Sequence, residues 1–445
     1  MAKDVPEREL SKLDAPSKSI LLIGINFSPE LTGIGKYTGE MVDWLVENNF
    51  QCNVVTSFPY YPYWQIQKPY KNKFHTRETL KNGKLNIYRC PMYVPAQPSG
   101  MKRLIHEFTF FCSALLMVIY LLFKPKKDYI FCVAPPFHIG FLGLIYRFFK
   151  GGKILYHIQD LQIEAARDLQ MLKSDKAFKV LFGMERLILQ RVNFVSTISS
   201  GMLKKVSKKA DKEVLFFPNW VDTNAYCPLY DSAELKKLWG FHEDDKIVLY
   251  SGSIGEKQGL DGILSVARHL EASKFIKFVI CGTGPYKEKL MQSAREQKLN
   301  NVHFLPLQEP HLFNNFLNMA DVHLVLQKKN ASDLVMPSKL TTILAVGGLA
   351  LITAEPGTNL FEIINDNRMG VVIPSENLQS LEEAILRCCT IDNTAEKLNG
   401  RNYAETHLDK NNILTKVMRL IGNHNFEPAQ VSERHVEYLE LENNI

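Results

Sequence analysis

The stretch ILLIGINFSPELTGIGKY (residues 20–37) sets the pattern for the rest of this 445-residue chain. Ile20–Phe27 is a continuous apolar run, as expected of a strand buried on both faces. A proline- and glycine-bearing loop follows. A helical pattern then runs from about Tyr37 to Glu47, with Met41, Trp44 and Leu45 on one face. Cys52–Phe58 (CNVVTSF) predicts the next strand. Strand, loop, helix, strand is the opening of a parallel α/β sheet.

The alternation continues through Tyr129–Pro135, Lys153–Gln159 and Asn193–Ser199, with helices between. It breaks at the Pro-containing stretch Leu215–Leu229 and restarts with KIVLYSGSIG (Lys246–Gly255), KFVICGTGP (Lys277–Pro285), Val302–Pro306, Asp321–Gln327 and Leu349–Ala354. The expected fold class is α/β, with two Rossmann-like domains in succession. We expect a flexible leader at 1–18, an N-terminal domain at 19–228 and a C-terminal domain at 229–405. Residues 406–445 should hold a helix returning to the N-domain and an acidic tail.

Composition narrows the classes. At 46% hydrophobic and 22% charged residues the chain is globular. The eight cysteines have no metal-site spacing and read as reduced thiols of a cytosolic protein. The polar N-terminus has no apolar run of the kind a secretory signal needs. The net charge of +6 is a remainder: residues 60–155 hold fifteen Lys/Arg against three Asp/Glu, a surplus of twelve. Within that stretch lies FTFFCSALLMVIYLLF (Phe108–Phe123), part of an apolar segment 104–123. Lys102 and Arg103 flank one end, Lys124, Lys126 and Lys127 the other. It suits a helix buried in the N-domain or one docked in a membrane interface, and it is short for a bilayer span. Basic residues interleaved with apolar ones fit a lipid surface better than nucleic acid.

Three loops carry the candidate chemistry. Gly33 and Gly35 lie where the first strand gives way to a helix, a place suited to phosphate. They lack the G-x-G-x-x-G spacing, which argues against a nicotinamide cofactor. Ser251-Gly252-Ser253, with Lys257 close behind, repeats the theme after the first strand of the second domain, and Gly282-Thr283-Gly284 after the next. Two small-residue loops and a lysine on one sheet edge point to a diphosphate ligand.

Taken together and in order, GINFSPELTGIGKY, YHIQDLQIEAA, FPNWVD, YSGSIGEKQGL, CGTGP, MPSKL and RNYAETHLDK resemble the family 4 glycosyltransferases, over about residues 19–420. Among these the resemblance is to the colanic-acid-type and L-fucosamine-type transferases of bacterial surface polysaccharide synthesis. It implies the GT-B fold and a metal-independent, retaining transfer from a UDP- or GDP-sugar, with no cofactor. The absence of a D-x-D triplet agrees. The implied acceptor is a polyprenyl-diphosphate-linked saccharide at the inner face of the cytoplasmic membrane, with the basic residues 102, 103, 124, 126 and 127 toward membrane and acceptor. A GT-B nucleotide-sugar epimerase and a non-catalytic sugar-nucleotide sensor are the alternatives.

The resemblance also implies site roles. Gly33 and Gly35 would face the donor phosphates, and Lys257 would neutralise the diphosphate. Gly252, Gly282 and Gly284 would frame the nucleotide. His157 would stand near the transferred sugar, with Asp160 and Glu164 as polar neighbours. The sequence departs from the family at Ser253, where many members carry arginine, and at Leu334 and Thr342, where a glutamate pair is common. Asp333, Ser338, Lys339 and Thr342 are the substitute donor contacts.

Overall fold

The computed structural model describes residues 18–168, 174–329 and 336–422. The chain divides into two compact units. Met1–Ser196, Lys209–Leu215 and Thr415–Ile445 form one; Thr197–Lys208 and Phe216–Leu414 form the other. The chain changes unit at the head of the Leu215–Leu229 stretch.

In the first unit the chain runs β1 (Ser19–Gly24), α1 (Gly33–Glu47), β2 (Gln51–Ser57), β3 (Thr76–Leu80), β4 (Leu85–Cys90) and α2 (Gly100–Leu122). It continues with β5 (Tyr129–Ala134), α3 (Ile139–Lys150), β6 (Lys153–Ile158), α4 (Gln162–Asp168), α5 (Asp175–Arg191) and β7 (Phe194–Thr197). After α6 (Ser200–Ser207), which groups with the second unit, comes β8 (Val214–Phe216). The sheet order is β3-β4-β2-β1-β5-β6-β7-β8. β4, β2, β1, β5 and β6 run parallel, and β3 is an antiparallel edge. Every residue of β5 and all of β1 after Ser19 are buried, as parallel strands covered on both faces must be. The β3–β4 hairpin is absent from the sequence expectation. TRETL is polar and mostly exposed, so no apolar signal marked it.

The second unit contains α7 (Ser232–Leu238), β9 (Lys246–Ser251), α8 (Asp261–His269), β10 (Ile276–Cys281), α9 (Lys287–Glu296), β11 (Val302–Leu305), α10 (Phe313–Asn318) and β12 (Val322–Val325). Then come α11 (Ser338–Ala345), β13 (Ala350–Thr353), α12 (Asn359–Asp366), β14 (Val371–Ile373), α13 (Leu378–Thr390), α14 (Thr394–Tyr403) and α15 (Lys410–Gly422). The sheet is wholly parallel, in the order β11-β10-β9-β12-β13-β14. Side chains alternate across it. Val248, Tyr250, Phe278 and Ile280 enter one core, and Ile247, Leu249, Val279 and Cys281 the other. Arg401 ties the end of this unit together, donating to the carbonyls of Tyr226 (2.9 Å), Thr223 (3.1 Å) and Ala345. From Thr415 onward α15 groups with the first unit.

The long apolar segment is α2. It packs against α3, β2 and β4 through a single stripe, His106, Phe110, Ser113, Ala114, Val118 and Leu121. The other side is exposed although equally apolar, with Leu104, Ile105, Phe108, Leu116, Ile119 and Phe123 open; Phe148 and Phe149 at the end of α3 are exposed too. A soluble surface helix would turn a polar face outward. The strands before and after α2, β4 and β5, lie in one sheet. At 23 residues α2 is long and apolar enough to cross a bilayer, more than the apolar run in the sequence suggested, but both its ends join one sheet, which argues against a span. Full burial is excluded by the open face.

Candidate functional site

Each sheet reverses its strand order once, which in open α/β sheets makes the crevice where ligands bind, beyond the strand carboxyl ends. In the second sheet the reversal is at β9, flanked by β10 and β12. Three features converge there: the Gly252 loop after β9, the Gly282 loop after β10, and the start of α11, which follows β12.

The first two are zipped together by backbone. Gly252 N–H donates to the Cys281 carbonyl (2.9 Å) and Ile254 N–H to that of Thr283 (2.8 Å). A Cβ at Gly282 would stand 1.8 Å from the Gly252 oxygen, and one at Gly284 2.1 Å from the Ile254 oxygen. The contact between loops therefore requires both glycines, with no ligand needed to explain them. Lys287 Nζ donates to the Gly282 carbonyl at 3.1 Å.

Lys339 is the exception to this completeness. It is the second residue of α11, and among the described residues its buried Nζ has no hydrogen-bond partner. The ammonium lies 3.7 Å from the centre of the Tyr250 ring, and a Cβ on Gly252 would come within 2.8 Å of it. Burial pushes its pKa down to about 7. A buried cation without an anion is costly, and among the described residues no ion pair offsets that cost for Lys339. Tyr250 holds the platform still by donating its hydroxyl to the Ser253 carbonyl at 2.6 Å. Its contribution escaped the sequence expectation, since an aromatic at a strand end reads as core.

The other second-unit candidates take ordinary positions. Lys257 is exposed in a short 3-10 turn, whose carbonyl receives the Lys328 N–H (2.9 Å). Ser251 ends β9, Ser253 and Ser338 are exposed, and Thr342 is buried within α11. Asp333 and Leu334 lie outside the described residues.

In the first sheet the reversal is at β1, between β2 and β5. Gly33 has φ +61, a left-handed conformation that favours glycine. Gly35 is crowded by Glu30, whose Oε2 would lie 2.5 Å from an added Cβ. Glu30 is buried and satisfied. Its Oε1 accepts from the N–H groups of Tyr60 (3.0 Å) and Tyr61 (2.9 Å), and Oε2 from Asn26 (2.9 Å). Burial nevertheless outweighs these bonds and raises its pKa.

His157 lies one residue inside the end of β6. Its ring is buried, with Nδ1 2.9 Å from the Ser196 hydroxyl, and burial pushes its pKa down to about 3. It is a neutral imidazole behind the strand end. Asp160, two residues beyond β6, is exposed. Glu164 belongs to an ion cluster, 2.6 Å from Lys209, which is also 2.6 Å from Glu185. Of the basic residues near α2, Lys102, Arg103, Lys124 and Lys126 are exposed and Lys127 is half-buried. Among the described residues no group of three or more His, Cys, Asp or Glu is placed to hold a metal ion.

Residues 231–405 match the family described as Glycosyl transferases group 1. Over 405 residues the chain is 39% identical to the "Putative colanic acid biosynthesis glycosyl transferase WcaI" of Escherichia coli K12, covering 89% of this chain and 97% of that protein. Solved structures share the fold at low identity. Sucrose-phosphate synthase from Thermosynechococcus elongatus is 15% identical with TM-score 0.70, covering 91% of this chain and 98% of that one. Anabaena HepE in complex with UDP and glucose is 12% identical with TM-score 0.63, covering 91% and 100%. WaaG, a glycosyltransferase involved in lipopolysaccharide biosynthesis, is 14% identical with TM-score 0.62, covering 90% and 99%.

Proposed function

The chain belongs to the group 1 glycosyl transferases and has the GT-B fold, and from that membership we propose a particular transfer. It is a glycosyltransferase of polysaccharide biosynthesis. The donor is a UDP- or GDP-sugar, the acceptor a hydroxyl on a polyprenyl-diphosphate-linked saccharide, and the anomeric configuration is retained. The reaction takes place on the cytoplasmic face of the membrane and needs no metal or other cofactor.

The observation that carries the donor half is Lys339, a buried ammonium without an anion at the strand-order reversal of the second sheet. A donor diphosphate supplies the missing charge. As the bond from C1 to the diphosphate oxygen breaks, negative charge grows on the leaving group, and a preformed cation in a dry site stabilises it strongly. Lys257, on the exposed turn that follows the Gly252 loop, adds a second cation. The acceptor oxygen forms its bond to C1 on the face that the diphosphate leaves, and its proton passes to the departing phosphate oxygen. His157 supports the end of β6 from behind.

The membrane half rests on α2. Its outward apolar face and the Phe148–Phe149 pair, rimmed by Lys102, Arg103, Lys124 and Lys126, fit an anionic bilayer interface.

A donor screen tests the function: UDP- and GDP-sugars with a lipid-linked acceptor, read by nucleotide release and product mass. We expect acceptor-dependent release with one donor and an α-linked product from an α-linked donor. Release of a free isomerised sugar nucleotide without acceptor would instead identify an epimerase. Lys257→Ala should cut turnover by roughly tenfold to a hundredfold without unfolding the protein.

A further inference from the structure

The first turns of α2 hold a cluster that the donor site does not use. His106 is 2% exposed, and its Nδ1 lies 2.6 Å from the Tyr93 carbonyl oxygen. A carbonyl only accepts, so Nδ1 carries the proton. Burial lowers the pKa of the ring, which keeps it neutral and makes Nε2 an acceptor. That Nε2 is buried and, among the described residues, has no hydrogen-bond partner.

The imidazole is boxed by Tyr60, ring centres 4.8 Å apart, and by Trp64 at 5.3 Å. Trp64 has φ +52, a left-handed conformation that costs a bulky residue about 1–3 kcal/mol. Trp64 is thus one strained wall of the box, and a shift of its ring would widen access to His106 while leaving its face for stacking. The Arg103 guanidinium stands 5.3 Å from the Trp64 ring centre on the exposed side. Ser99 caps α2 without a side-chain bond, so the first N–H groups of the helix are open to an anion. Glu107 is already engaged, both its oxygens accepting from Gln162 at 2.7 Å.

We infer that this cluster binds the head of the acceptor: a sugar ring stacks on Trp64 and donates a hydroxyl to His106 Nε2, while its phosphate meets Arg103 and the N-terminus of α2. The inference deepens the lipid-linked-acceptor reading and rests on it. Leu104, Ile105 and Phe108 are exposed on the same helix, so a lipid attached to that phosphate has apolar surface to follow. Arginine and a helix N-terminus are natural phosphate partners, and an aromatic face gives a sugar ring a broad apolar contact.

The test is tryptophan fluorescence of the full chain, titrated with farnesyl diphosphate-linked glucose, with farnesyl diphosphate alone, and with a water-soluble oligosaccharide. The expected result is a saturable change with the linked sugar that disappears in Trp64→Phe. His106→Phe should weaken that binding by about tenfold, the worth of one hydrogen bond, and leave farnesyl diphosphate unaffected. Arg103→Gln, at an exposed position, should weaken both diphosphates. UDP binding, unchanged in all three variants, certifies their folding. A signal that persists in Trp64→Phe, with His106→Phe and Arg103→Gln binding as tightly as wild type, would overturn the site. So would the absence of binding by all three probes. If only the soluble oligosaccharide binds, and does so through Trp64 and His106, the site stands and the lipid-linked reading fails.

Discussion

Two buried charges stand near the strand-order reversals of the two sheets, each against a loop glycine: Glu30 against Gly35 and Lys339 against Gly252. Glu30, in the first unit, accepts three hydrogen bonds within 3.0 Å. Lys339, in the second, has none among the described residues. Loop composition does not distinguish them, since both loops are glycine-bearing and both open a helix. Hydrogen-bond accounting does. A satisfied buried charge is a fastener, and the native fold is its complete partner. An unsatisfied one implies a partner from outside, because leaving a buried charge bare costs several kcal/mol.

The largest expected effect separates the two. Lys339→Met should lower kcat by about 10²–10³-fold, the usual loss when a preorganised charge is removed, while the melting temperature of the free protein holds or rises. The penalty for burying this amine is full below about pH 7 and fades as pH rises to 10.5, so any gain in stability should be greatest at or below neutrality. A variant that melts far below wild type would make Lys339 a second fastener. Glu30→Ala should do the reverse. It strands three donors and should cost about 3 kcal/mol or more in urea unfolding. Donor affinity, measured on the protein that remains folded, should change little.

The smallest effect is a proton. A bound diphosphate favours the charged amine and raises the pKa of Lys339 from about 7. Near pH 8 the free protein holds it mostly neutral, so UDP binding should take up close to one proton; near pH 5 it should take up none there. Calorimetry in two buffers of different ionisation enthalpy measures this, and equal heats at pH 8 would mean that the diphosphate does not meet Lys339.

The sheets were legible in the sequence because parallel strands buried on both faces must be apolar throughout. Ile20–Ile23, Ile130–Val133 and Phe278–Ile280 could hardly be anything else. The glycines were legible as punctuation, but their reasons were not. Gly282 and Gly284 exist for a backbone contact with Gly252 and Ile254, about 30 residues away in the chain. Lys339 was named as a substitute contact, yet sequence carries no sign that an amine will be buried over Tyr250. Nor could it show that α2 is apolar on both faces and buried on one, because periodicity is silent when every position is hydrophobic. β3 and the His106–Trp64 packing depend on a hairpin and a loop whose polar, aromatic-rich residues follow no period.

If the open face of α2 seats the enzyme on a bilayer, as proposed, it also changes the units in which acceptor is counted. An enzyme seated on a bilayer meets a lipid-linked substrate by lateral diffusion, so its rate follows the mole fraction of that lipid in the surface rather than molarity in the tube. Diluting the acceptor with inert anionic lipid, at constant total acceptor, should slow transfer in proportion. Replacing Phe108, Phe123, Phe148 and Phe149 by serine should abolish that proportionality.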